Sequence, residues 1–412
     1  MIYGLLGEKL NHSYSPYIYQ QFGLEDYQLF ALAPEQVEDF LQRGDLVGLN
    51  VTIPYKKKAL PYCDHLSDVA RRLGNVNLLC YDKQGRIQGH NTDYQGFCYL
   101  IEQRKIELTG KKVLVLGSGG AAATAICACR DLGARIVVMV SRRGENNYRN
   151  LQRHADTQVL INATPVGMYP LVEQSPLDLD IFPRLEAVVD LIYNPLRTRL
   201  LLQAELKSVL AVNGLAMLVE QGRLGAELLM GNKIPVLKSA QVYASLLGKV
   251  ENIVLVGMPG CGKTTVATII AQRMGRKLVD TDALIEKKSG LSPAEIIEGA
   301  GEASFRQLES KVLRSAVKEN GLVVATGGGA VLAPENCLSL RQNGRIYWLD
   351  RPLAALDLRG RPLAIEIDKL YRRRRPIYQQ LAATRIEAAR EVTASAEAIM
   401  EEFYAYTGAK RA

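Results

Sequence analysis

The sequence has 412 residues, enough for two or three domains of about 150 residues each. A hydrophobic fraction of 48% and a charged fraction of 23% are ordinary for globular proteins, and 35 Gly and 16 Pro exclude a collagen-like or low-complexity chain. The formal net charge of +8 is too small to give the strong positive potential of a dedicated nucleic-acid binder. We therefore expect no nucleic-acid partner, and the charge fits an enzyme with anionic small-molecule substrates.

The seven cysteines include no C-x-x-C pair, so they predict neither a disulfide framework nor a zinc site. The first residues, MIYGLLGEKLNHSYSP, lack the basic and apolar regions of a secretory signal. No apolar run approaches the roughly 20 residues that a membrane-spanning helix needs. The expectation is a cytoplasmic protein with no membrane partner.

Two polar segments precede the first glycine-rich loop. GLNVTIPYKK contains Asn50, Thr52 and Lys56, and GHNTDYQG contains Asn91 and Asp93. A lysine and an aspartate, each beside Asn and Thr, are typical of a polar pocket in which an ammonium group protonates a developing alkoxide. The alternative is a surface lysine and a helix-capping aspartate, which is the commoner role of each residue alone.

Residues 111–143 have the pattern of a strand, a glycine loop, a helix and a second strand. The apolar run Val113–Leu116 suits a parallel strand covered on both faces, and Ile136–Val140 predicts the second strand. The loop GSGGAA is an incomplete dinucleotide-binding fingerprint, in which Ala122 replaces the last glycine. The residues expected at the cofactor are Gly117, Gly119, Gly120 and Ala121.

The end of the second strand indicates which dinucleotide is bound. The strand ends in Ser141, Arg142 and Arg143, and Arg142 lies 25 residues beyond Gly117. A fold that prefers NAD places an acid here on the ribose hydroxyl, whereas arginine suits a 2′-phosphate. These residues therefore predict NADP(H).

A second strand–glycine–helix pattern lies in residues 252–275. The motif G-x-x-x-x-G-K-[ST] is matched in full by Gly257–Thr264, directly after the apolar run Ile253–Val256. In such a loop the backbone N–H groups bind phosphate, Lys263 reaches the β- and γ-phosphates, and the Thr264 hydroxyl ligates Mg²⁺. The expected ATP-binding residues here are Gly257, Gly260, Cys261, Gly262, Lys263, Thr264 and Thr265.

An acidic pair follows the next predicted strand, Lys277–Val279. Asp280 and Asp282 stand at the carboxyl end of that strand, where α/β sheets bind ligands. One carboxylate can bind the ligand shell of Mg²⁺, while the other contacts the hydroxyl group that accepts the phosphoryl group. The alternative is a helix cap, the commoner role of such a pair.

Glycines and arginines dominate the later motifs. Gly327–Gly329 follow the apolar run Leu322–Ala325, which is typical of backbone that approaches a ligand. Arg306 in GEASFRQLE, Arg361 in GRPLA and the run Arg372–Arg375 suit carboxylate binding and charge neutralisation of a transferring phosphoryl group. A solvated helix face is the alternative for at least two arginines of that run.

Seven motifs in residues 1–247 resemble the shikimate dehydrogenase family: HSYSP, NVTIPYK, GNVN, NTD, INATPVGM, DLIYNPLRT and NGLAMLVEQG. The resemblance implies that Lys56 and Asp93 are catalytic. The substrate contacts that it implies are Ser13, Ser15, Asn50, Thr52, Asn77, Asp93, Tyr193 and Gln221. Near the nicotinamide it implies Thr164, Gly214 and Met217.

The motifs GMPGCGKTT, DTD, GEASFRQLE, TGGGAV, RPL and RRPIY resemble the shikimate kinase family in order and spacing. The resemblance implies a magnesium site near Asp280 and Thr264, and places Asp282 close to the hydroxyl that is phosphorylated. Arg361 would come from a lid over the phosphates and would act in catalysis with Lys263. The implied shikimate-binding residues are Asp282, Arg306, Gly328 and Arg374.

These motifs predict an α/β protein with two enzyme parts. The first is a shikimate-dehydrogenase-like substrate lobe (about 1–100 and 215–247) with a Rossmann-type NADP lobe (about 101–214). The second is a P-loop kinase domain with a parallel sheet (248–412). Arg143 and Asn162 are only 19 residues apart, which leaves space for one short helix and predicts a shortened NADP lobe.

The predicted function is that of a bifunctional enzyme of aromatic amino acid biosynthesis. It reduces 3-dehydroshikimate to shikimate with NADPH and then uses ATP and Mg²⁺ to make shikimate 3-phosphate. The alternative is a working kinase fused to a catalytically impaired dehydrogenase-like scaffold or regulatory module. A quinate- or NAD-preferring dehydrogenase fits Arg142 less well, and a nucleoside monophosphate kinase has no evident use for Arg306. The sequence carries no signal for the oligomeric state.

Overall fold

The computed structural model describes residues 2–10, 13–357, 366–388 and 391–409. The chain divides into two compact units. The first unit comprises Met1–Val166, Ser175–Tyr193 and Gln203–Tyr243, and the second comprises Gly167–Gln174, Asn194–Leu202 and Ala244–Ala412. Each unit is built from α-helices and β-sheets, which confirms the predicted α/β class.

The first unit begins with a six-stranded mixed sheet in the order β2-β1-β3-β5-β6-β4. Its strands are β1 (Ile2–Gly7), β2 (Tyr27–Ala31), β3 (Leu46–Val51), β4 (His65–Leu66), β5 (Leu78–Tyr81) and β6 (Ile87–His90). The accompanying helices are α1 (Ser15–Gln21), α2 (Val37–Leu41), α3 (Asp68–Leu73) and α4 (Asp93–Gln103). Strand β3 lies inside the sheet, parallel to β1 and antiparallel to β5. Its buried apolar residues, such as Leu49 and Val51, anchor the polar segment that follows it.

A second sheet of the first unit is entirely parallel, in the order β11-β10-β9-β7-β8. Its strands are β7 (Lys112–Leu116), β8 (Ile136–Val140), β9 (Val159–Asn162), β10 (Ala187–Asp190) and β11 (Leu210–Asn213). The helices that follow in sequence are α5 (Gly120–Asp131), α6 (Arg199–Leu206), α7 (Leu215–Met230) and α8 (Val236–Val250), and the boundary between the two units runs through α6 and through α8. All five residues of β7 are buried, as the uninterrupted apolar run predicts.

Strand β8 forms one edge of the parallel sheet. The chain from β8 to β9 contains only the short 3₁₀ helix Leu151–His154, in agreement with the space estimated from the sequence. No further strand pairs with this edge within the described residues of the first unit, and Ile136 and Met139 are 41% and 43% exposed. This sheet therefore has five strands and an edge strand with exposed apolar side chains.

The second unit contains a five-stranded parallel sheet in the order β13-β14-β12-β15-β16. Its strands are β12 (Asn252–Val256), β13 (Lys277–Asp280), β14 (Leu322–Ala325), β15 (Gly344–Asp350) and β16 (Thr384–Glu387). Its helices are α9 (Lys263–Met274), α10 (Thr281–Ser289), α11 (Pro293–Ala316), α12 (Pro334–Asn343), α13 (Ile367–Leu381) and α14 (Val392–Thr407). The sequence analysis did not identify β16, since only one of its four residues is buried.

Two segments from the first half of the sequence, 167–174 and 194–202, belong to the second unit. They are joined to α12 by hydrogen bonds, including one from the backbone N–H of Leu196 to Oδ1 of Asn343. Nothing in the hydrophobic pattern of these segments distinguishes them from the rest of the first half. Within the described ranges, no helix combines the length and the apolar character needed to cross a membrane.

The exposure of strand β8 can be tested by substitution. Leu114→Ala in buried β7 is expected to lower the free energy of unfolding by about 2–5 kcal/mol, because it leaves a cavity among packed side chains. Met139→Ala in exposed β8 is expected to change it by less than about 1 kcal/mol. Denaturant unfolding of the full chain measures both effects. An equal loss in the two variants would show that β8 is covered in solution.

Candidate active sites

Lys56 and Asp93 form an ion pair in the first unit. Lys56 follows β3, and Asp93 is the first residue of α4; Lys56 Nζ donates a hydrogen bond to Asp93 Oδ2. Both side chains are largely buried, and Asp93 as a whole residue is only 8% exposed. Two residues that are 37 positions apart in sequence are thus brought together as a pair. The ammonium group is held ready to give a proton at one fixed point.

Asn77 holds the other oxygen of Asp93. Asn77 Nδ2 donates to Asp93 Oδ1 at 2.9 Å and to Thr92 Oγ1 at 3.0 Å, while Asn77 Oδ1 accepts from the Thr92 backbone N–H at 2.7 Å. The same Nδ2 group lies 3.4 Å from Gln221 Oε1 on α7. These buried contacts bring four of the predicted residues, Lys56, Asn77, Asp93 and Gln221, into one network.

The two predicted substrate serines lie at the start of α1. Ser15 is buried, and its backbone N–H donates to Ser13 Oγ at 3.2 Å. Between them, Tyr14 lies with its ring 5.4 Å from the ring of Tyr193, measured between centroids. The structure therefore brings Tyr193 next to the serine segment, and burial raises the pKa of the Tyr193 hydroxyl.

Asn50 and Thr52 lie at the carboxyl end of β3 and beyond it. Asn50 is buried, with Nδ2 donating to the backbone oxygen of Asn77 at 3.3 Å. Its Oδ1 accepts a 2.7 Å hydrogen bond from the Tyr27 hydroxyl. Thr52 is half-buried, and its backbone N–H donates to the oxygen of Leu6 at 2.9 Å. Tyr27 was not predicted from the sequence, because no motif contains it.

The glycine loop of the first unit turns between β7 and α5. Gly117 has φ +116°, and a Cβ there would lie 3.0 Å from the oxygen of Ala163. Gly119 has open space at the position of a Cβ, and Gly120 is the first residue of α5. The backbone N–H groups at the start of this helix are therefore accessible to an anion. A Cβ built on Gly120 would be 3.8 Å from Cδ of Lys56. The loop and Lys56 are therefore neighbours.

The turn after β9 is held by buried polar residues. Asn162 Nδ2 donates to Asp190 Oδ1 at 3.0 Å, and Asn162 Oδ1 accepts from the Thr164 hydroxyl at 2.7 Å. Gly214, which precedes α7, is packed so closely that a Cβ would be 2.2 Å from the oxygen of Leu191. Thr164 follows β9 and Gly214 follows β11, so both lie at the carboxyl edge of the sheet, with β10 between their strands.

Two further residues predicted near the cofactor occupy the helices beside these turns. Met217 is buried on α7, and its backbone oxygen lies 2.9 Å from the position of a Cβ on Gly96 of α4. Ala121 is half-buried in the first turn of α5.

Ser141, Arg142 and Arg143 follow β8 as predicted. Ser141 is half-buried, with its backbone N–H donating to the oxygen of Asn146 at 3.1 Å. Both arginines are exposed, and neither has a carboxylate partner among the described residues. Exposed guanidinium groups at this strand end fit a dinucleotide that carries a 2′-phosphate.

The phosphate loop of the second unit turns between β12 and α9. Gly257, Gly260 and Gly262 have φ angles of +150°, +76° and +96°, which L-residues with side chains rarely adopt. Lys263 is buried, and its Nζ donates to the oxygens of Gly257 at 3.0 Å and Met258 at 2.9 Å. The loop thus has the backbone of a phosphate cradle, with the lysine folded over it.

The remaining phosphate-loop residues surround this lysine. Cys261 is buried with Sγ 3.8 Å from Lys263 Nζ, and Thr265 is exposed in the first turn of α9. Arg361 lies outside the described residues.

Thr264 and Asp280 are brought together at the predicted magnesium position. The Thr264 hydroxyl donates to Asp280 Oδ2 at 2.6 Å. Asp280 Oδ1 accepts from the backbone N–H of Asp282 at 2.9 Å, so Asp280 also caps α10. The helix-cap alternative and the site interpretation are thus compatible. A hydroxyl oxygen beside a carboxylate suits Mg²⁺, which prefers oxygen ligands.

Two of the three glycines after β14, Gly327 and Gly329, lie against charged side chains, whereas Gly328 lies against Pro259. A Cβ on Gly327 would be 2.5 Å from Glu309 Oε1 and 2.8 Å from Asp282 Oδ1, and one on Gly329 would be 2.4 Å from the Arg306 guanidinium. Only glycine leaves room for these groups. The prediction of a close backbone approach therefore has a direct physical basis here.

Glu309 is a site residue that the sequence analysis did not select. It is buried on α11, three residues after Arg306, and its Oε2 accepts from Arg306 Nη1 at 2.7 Å. Its Oε1 has no hydrogen-bond partner within the described part of the chain. Burial raises the pKa of the Glu309 carboxyl, and Arg306 opposes that rise. The i,i+3 spacing of Arg and Glu in GEASFRQLE is the signal that identifies it.

Arg374 is the one buried member of the arginine run. It is 3% exposed, whereas Arg372, Arg373 and Arg375 are exposed. Its Nε and Nη1 have no hydrogen-bond partner among the residues that the structure describes, and burial lowers its pKa. The Tyr378 hydroxyl, one turn further along α13, donates to the oxygen of Gly328 at 2.6 Å. Buried donors without partners indicate a place for an anionic ligand.

The two sites define two classes of protein. The first unit combines a dinucleotide loop with a lysine–aspartate pair, which is the arrangement of a nucleotide-dependent dehydrogenase. The second combines a phosphate loop, a threonine–aspartate pair and buried arginines, which is the arrangement of a P-loop phosphotransferase.

Comparison with known proteins gives the families. The model of the shikimate dehydrogenase substrate binding domain matches residues 5–79, and that of shikimate kinase matches residues 259–405. The NADP⁺-dependent shikimate dehydrogenase of Clostridium perfringens is 34% identical over 266 residues, which cover 60% of this chain and 98% of the relative. That of Clostridium beijerinckii is 35% identical over 238 residues, covering 53% and 88%.

Solved structures of other proteins that match the first half of the chain belong to the same family. A chorismate mutase/shikimate 5-dehydrogenase fusion protein from Clostridium acetobutylicum matches with a TM-score of 0.56 and 36% identity, covering 58% of this chain and 95% of that one. The shikimate 5-dehydrogenase of Thermus thermophilus, solved with NADP(H) and shikimate, has a TM-score of 0.53 and 32% identity, covering 59% and 98%. The chain belongs to the shikimate dehydrogenase family, and it carries a shikimate kinase domain in its second half. Both parts are enzyme domains.

The Asn77 network predicts that the stability of the protein depends strongly on the Asn77 side chain. Asn77→Ala is expected to lower the free energy of unfolding by about 2–4 kcal/mol, because it leaves buried polar groups of Thr92 and Asp93 without partners. Asn232→Ala, at an exposed asparagine, is expected to have no measurable effect. Denaturant unfolding compares the two variants, and equal stability would contradict the role given to Asn77.

Proposed function

We propose that the chain catalyses two consecutive reactions of the shikimate pathway. The first part reduces 3-dehydroshikimate to shikimate with NADPH, and the second phosphorylates shikimate with ATP to give shikimate 3-phosphate. The observation that carries the proposal is the Lys56–Asp93 pair beside Gly120 of the dinucleotide loop. Carbonyl reduction requires a proton donor close to the cofactor loop.

In the dehydrogenase part, Lys56 gives a proton from Nζ to the new hydroxyl oxygen. Asp93 fixes the ammonium group through Oδ2 and is itself fixed through Oδ1 by Asn77. Ser13 and Ser15, at the start of α1, bind the substrate carboxylate. Substrate orientation is completed by Asn50, Thr52, Asn77, Tyr193 and Gln221.

The residues present fit NADP(H). Gly117, Gly119, Gly120 and Ala121 would hold the pyrophosphate at the start of α5, and Ser141, Arg142 and Arg143 would hold the 2′-phosphate. Thr164, Gly214 and Met217 would lie along the nicotinamide. When bound, NADPH supplies the hydride, as ATP supplies the phosphoryl group in the second reaction.

In the kinase part, charge neutralisation and positioning carry the chemistry. The loop from Gly257 to Thr265 and Lys263 would bind the phosphates of ATP, with Arg361 completing the site. Thr264 and Asp280 would hold Mg²⁺, which their contact at 2.6 Å favours. Asp282 would orient the attacking hydroxyl.

The buried arginines supply the substrate carboxylate site of the kinase. Arg374 has two buried donors without partners in the described chain, and Arg306 lies beside the glycine segment that contains Gly328. A planar carboxylate suits such guanidinium donors. Asp282 and Glu309 lie together beside Gly327, where a hydroxyl group can be oriented.

One observation favours a second candidate function. The NADP sheet has only five strands and an exposed apolar edge, which a catalytically impaired scaffold or regulatory module would tolerate. The retained contact between Lys56 and Asp93 argues for catalysis, because a binding module needs no proton donor.

An assay of the purified full chain tests the proposal. Given 3-dehydroshikimate, NADPH and ATP, the protein is expected to accumulate shikimate 3-phosphate, and Lys56→Ala is expected to lower kcat of NADP-dependent shikimate oxidation by about 100-fold or more. Lys57→Ala, at the exposed neighbouring lysine, is the matched control and should stay within about twofold of wild type.

The outcomes separate the candidates. Equal oxidation rates in wild type and Lys56→Ala would favour the scaffold. NADPH oxidation without any phosphorylated product would refute the kinase part.

Arg374 gives a separate test of the kinase site. Arg374→Met is expected to raise KM for shikimate in the kinase reaction about 100-fold, because two charge-assisted hydrogen bonds are lost. Its melting temperature should not fall, since a buried charge with unpartnered donors is removed. Arg373→Met, at the exposed adjacent arginine, is the control. A KM for Arg374→Met within about twofold of wild type would contradict the assignment.

A further inference from the structure

The second unit includes two segments that lie directly beside candidate dehydrogenase residues in the sequence. The segment 167–174 begins three residues after Thr164, and the segment 194–202 begins immediately after Tyr193. Thr164 and Tyr193 themselves belong to the first unit. Each of these two loops is therefore continued, along the chain, by backbone that is fixed within the second unit.

The last residues of α12 hold both segments through backbone atoms. Asn343 Oδ1 accepts from the backbone N–H of Leu196 at 2.9 Å. The backbone oxygen of Gln342 accepts from the backbone N–H of Arg197 at 2.8 Å. Gln342 Nε2 donates to the oxygen of Val172 at 2.7 Å. The two side-chain contacts are buried, so they strongly constrain the path of each segment.

Ion pairs reinforce this attachment. Arg197 Nη1 lies 3.2 Å from Oε1 of Glu251, a fully buried carboxylate, and Arg199 Nη2 lies 2.5 Å from Oε2 of Glu335. Burial raises the pKa of Glu251, and Arg197 opposes that rise. A buried carboxylate without its cation would be strongly unfavourable, so Arg197 cannot leave this position without cost.

The two segments are also joined to each other. The backbone N–H of Tyr169 donates to the oxygen of Asn194 at 3.0 Å. Displacement of one segment would therefore be transmitted to the other. The residues after Tyr193 in DLIYNPLRT were given no role in the candidate active sites, and in this chain they make the attachment described here.

We infer that Asn343 and Gln342, in the kinase half of the sequence, are positioning residues for the dehydrogenase reaction. They act through the backbone of the segments that follow Tyr193 and Thr164, the residues assigned to the substrate and the nicotinamide. The inference rests on the proposed dehydrogenase function.

The test uses the full chain with substitutions at Asn343. Asn343→Leu is similar in size but lacks an acceptor for the Leu196 N–H, and it is expected to raise KM for shikimate in NADP-dependent oxidation about tenfold. KM for shikimate and for ATP in the kinase reaction should stay within about twofold. Asn343→Asp keeps an acceptor oxygen and should restore the dehydrogenase KM. Gln380→Leu, at an exposed residue of α13, is the control.

Three results would overturn the inference. They are an unchanged dehydrogenase KM in folded Asn343→Leu, a parallel loss of both activities with a lower melting temperature, and an Asn343→Asp variant as impaired as Asn343→Leu. If Asn343→Leu does not fold, Gln342→Ala replaces it, since it removes only the bond to Val172; an unchanged dehydrogenase KM there also overturns the inference. Absence of dehydrogenase activity in wild type would instead contradict the proposed function.

Discussion

Parallel strands end together at one edge of a sheet, and the chain that leaves each strand must satisfy its backbone groups at that edge. In the NADP sheet, Asn162 and Asp190 meet this requirement at the ends of β9 and β10 by a buried hydrogen bond of 3.0 Å. The turns that they hold contain the predicted cofactor residues. In the kinase sheet, Gly257 and Asp280 stand at the corresponding ends of β12 and β13. The chemistry collects at these edges because the backbone there is exposed and polar.

The two sites differ in how their charges are balanced. In the dehydrogenase part, Lys56 and Asp93 neutralise each other, so the pair is stable before any ligand binds. In the kinase part, Arg374 keeps buried donors without partners in the described chain, and Glu309 keeps one such acceptor. Unsatisfied buried groups cost free energy that a complementary ligand recovers. The charges of the first pair are therefore balanced within the protein, whereas the second site keeps buried polar groups that a ligand could satisfy.

The α/β class and the strands that precede the glycine loops could be predicted from local sequence. The apolar runs at Val113–Leu116 and Ile253–Val256 became buried central strands, because a parallel strand covered on both faces needs such a run. Strand β16 was missed because three of its residues are not buried, which removes the hydrophobic signal. Tyr27 was missed because its contact with Asn50 depends on the pairing of β1 with β2 and β3, which no local pattern reveals.

By itself, the sequence determined the two phosphate-binding loops, the order of the family motifs and the short connection after β8, since each depends on residues that are neighbours along the chain. Tertiary structure decided which charged residues meet. The motifs named Lys56, Asp93 and Arg374, but only the folded chain joins Lys56 to Asp93 and buries Arg374 while its three neighbours stay exposed. Folding also attaches the segment 194–202 to the unit that contains α12. The physical reason is that burial and hydrogen-bond partners are properties of packing between distant segments, which local composition does not encode.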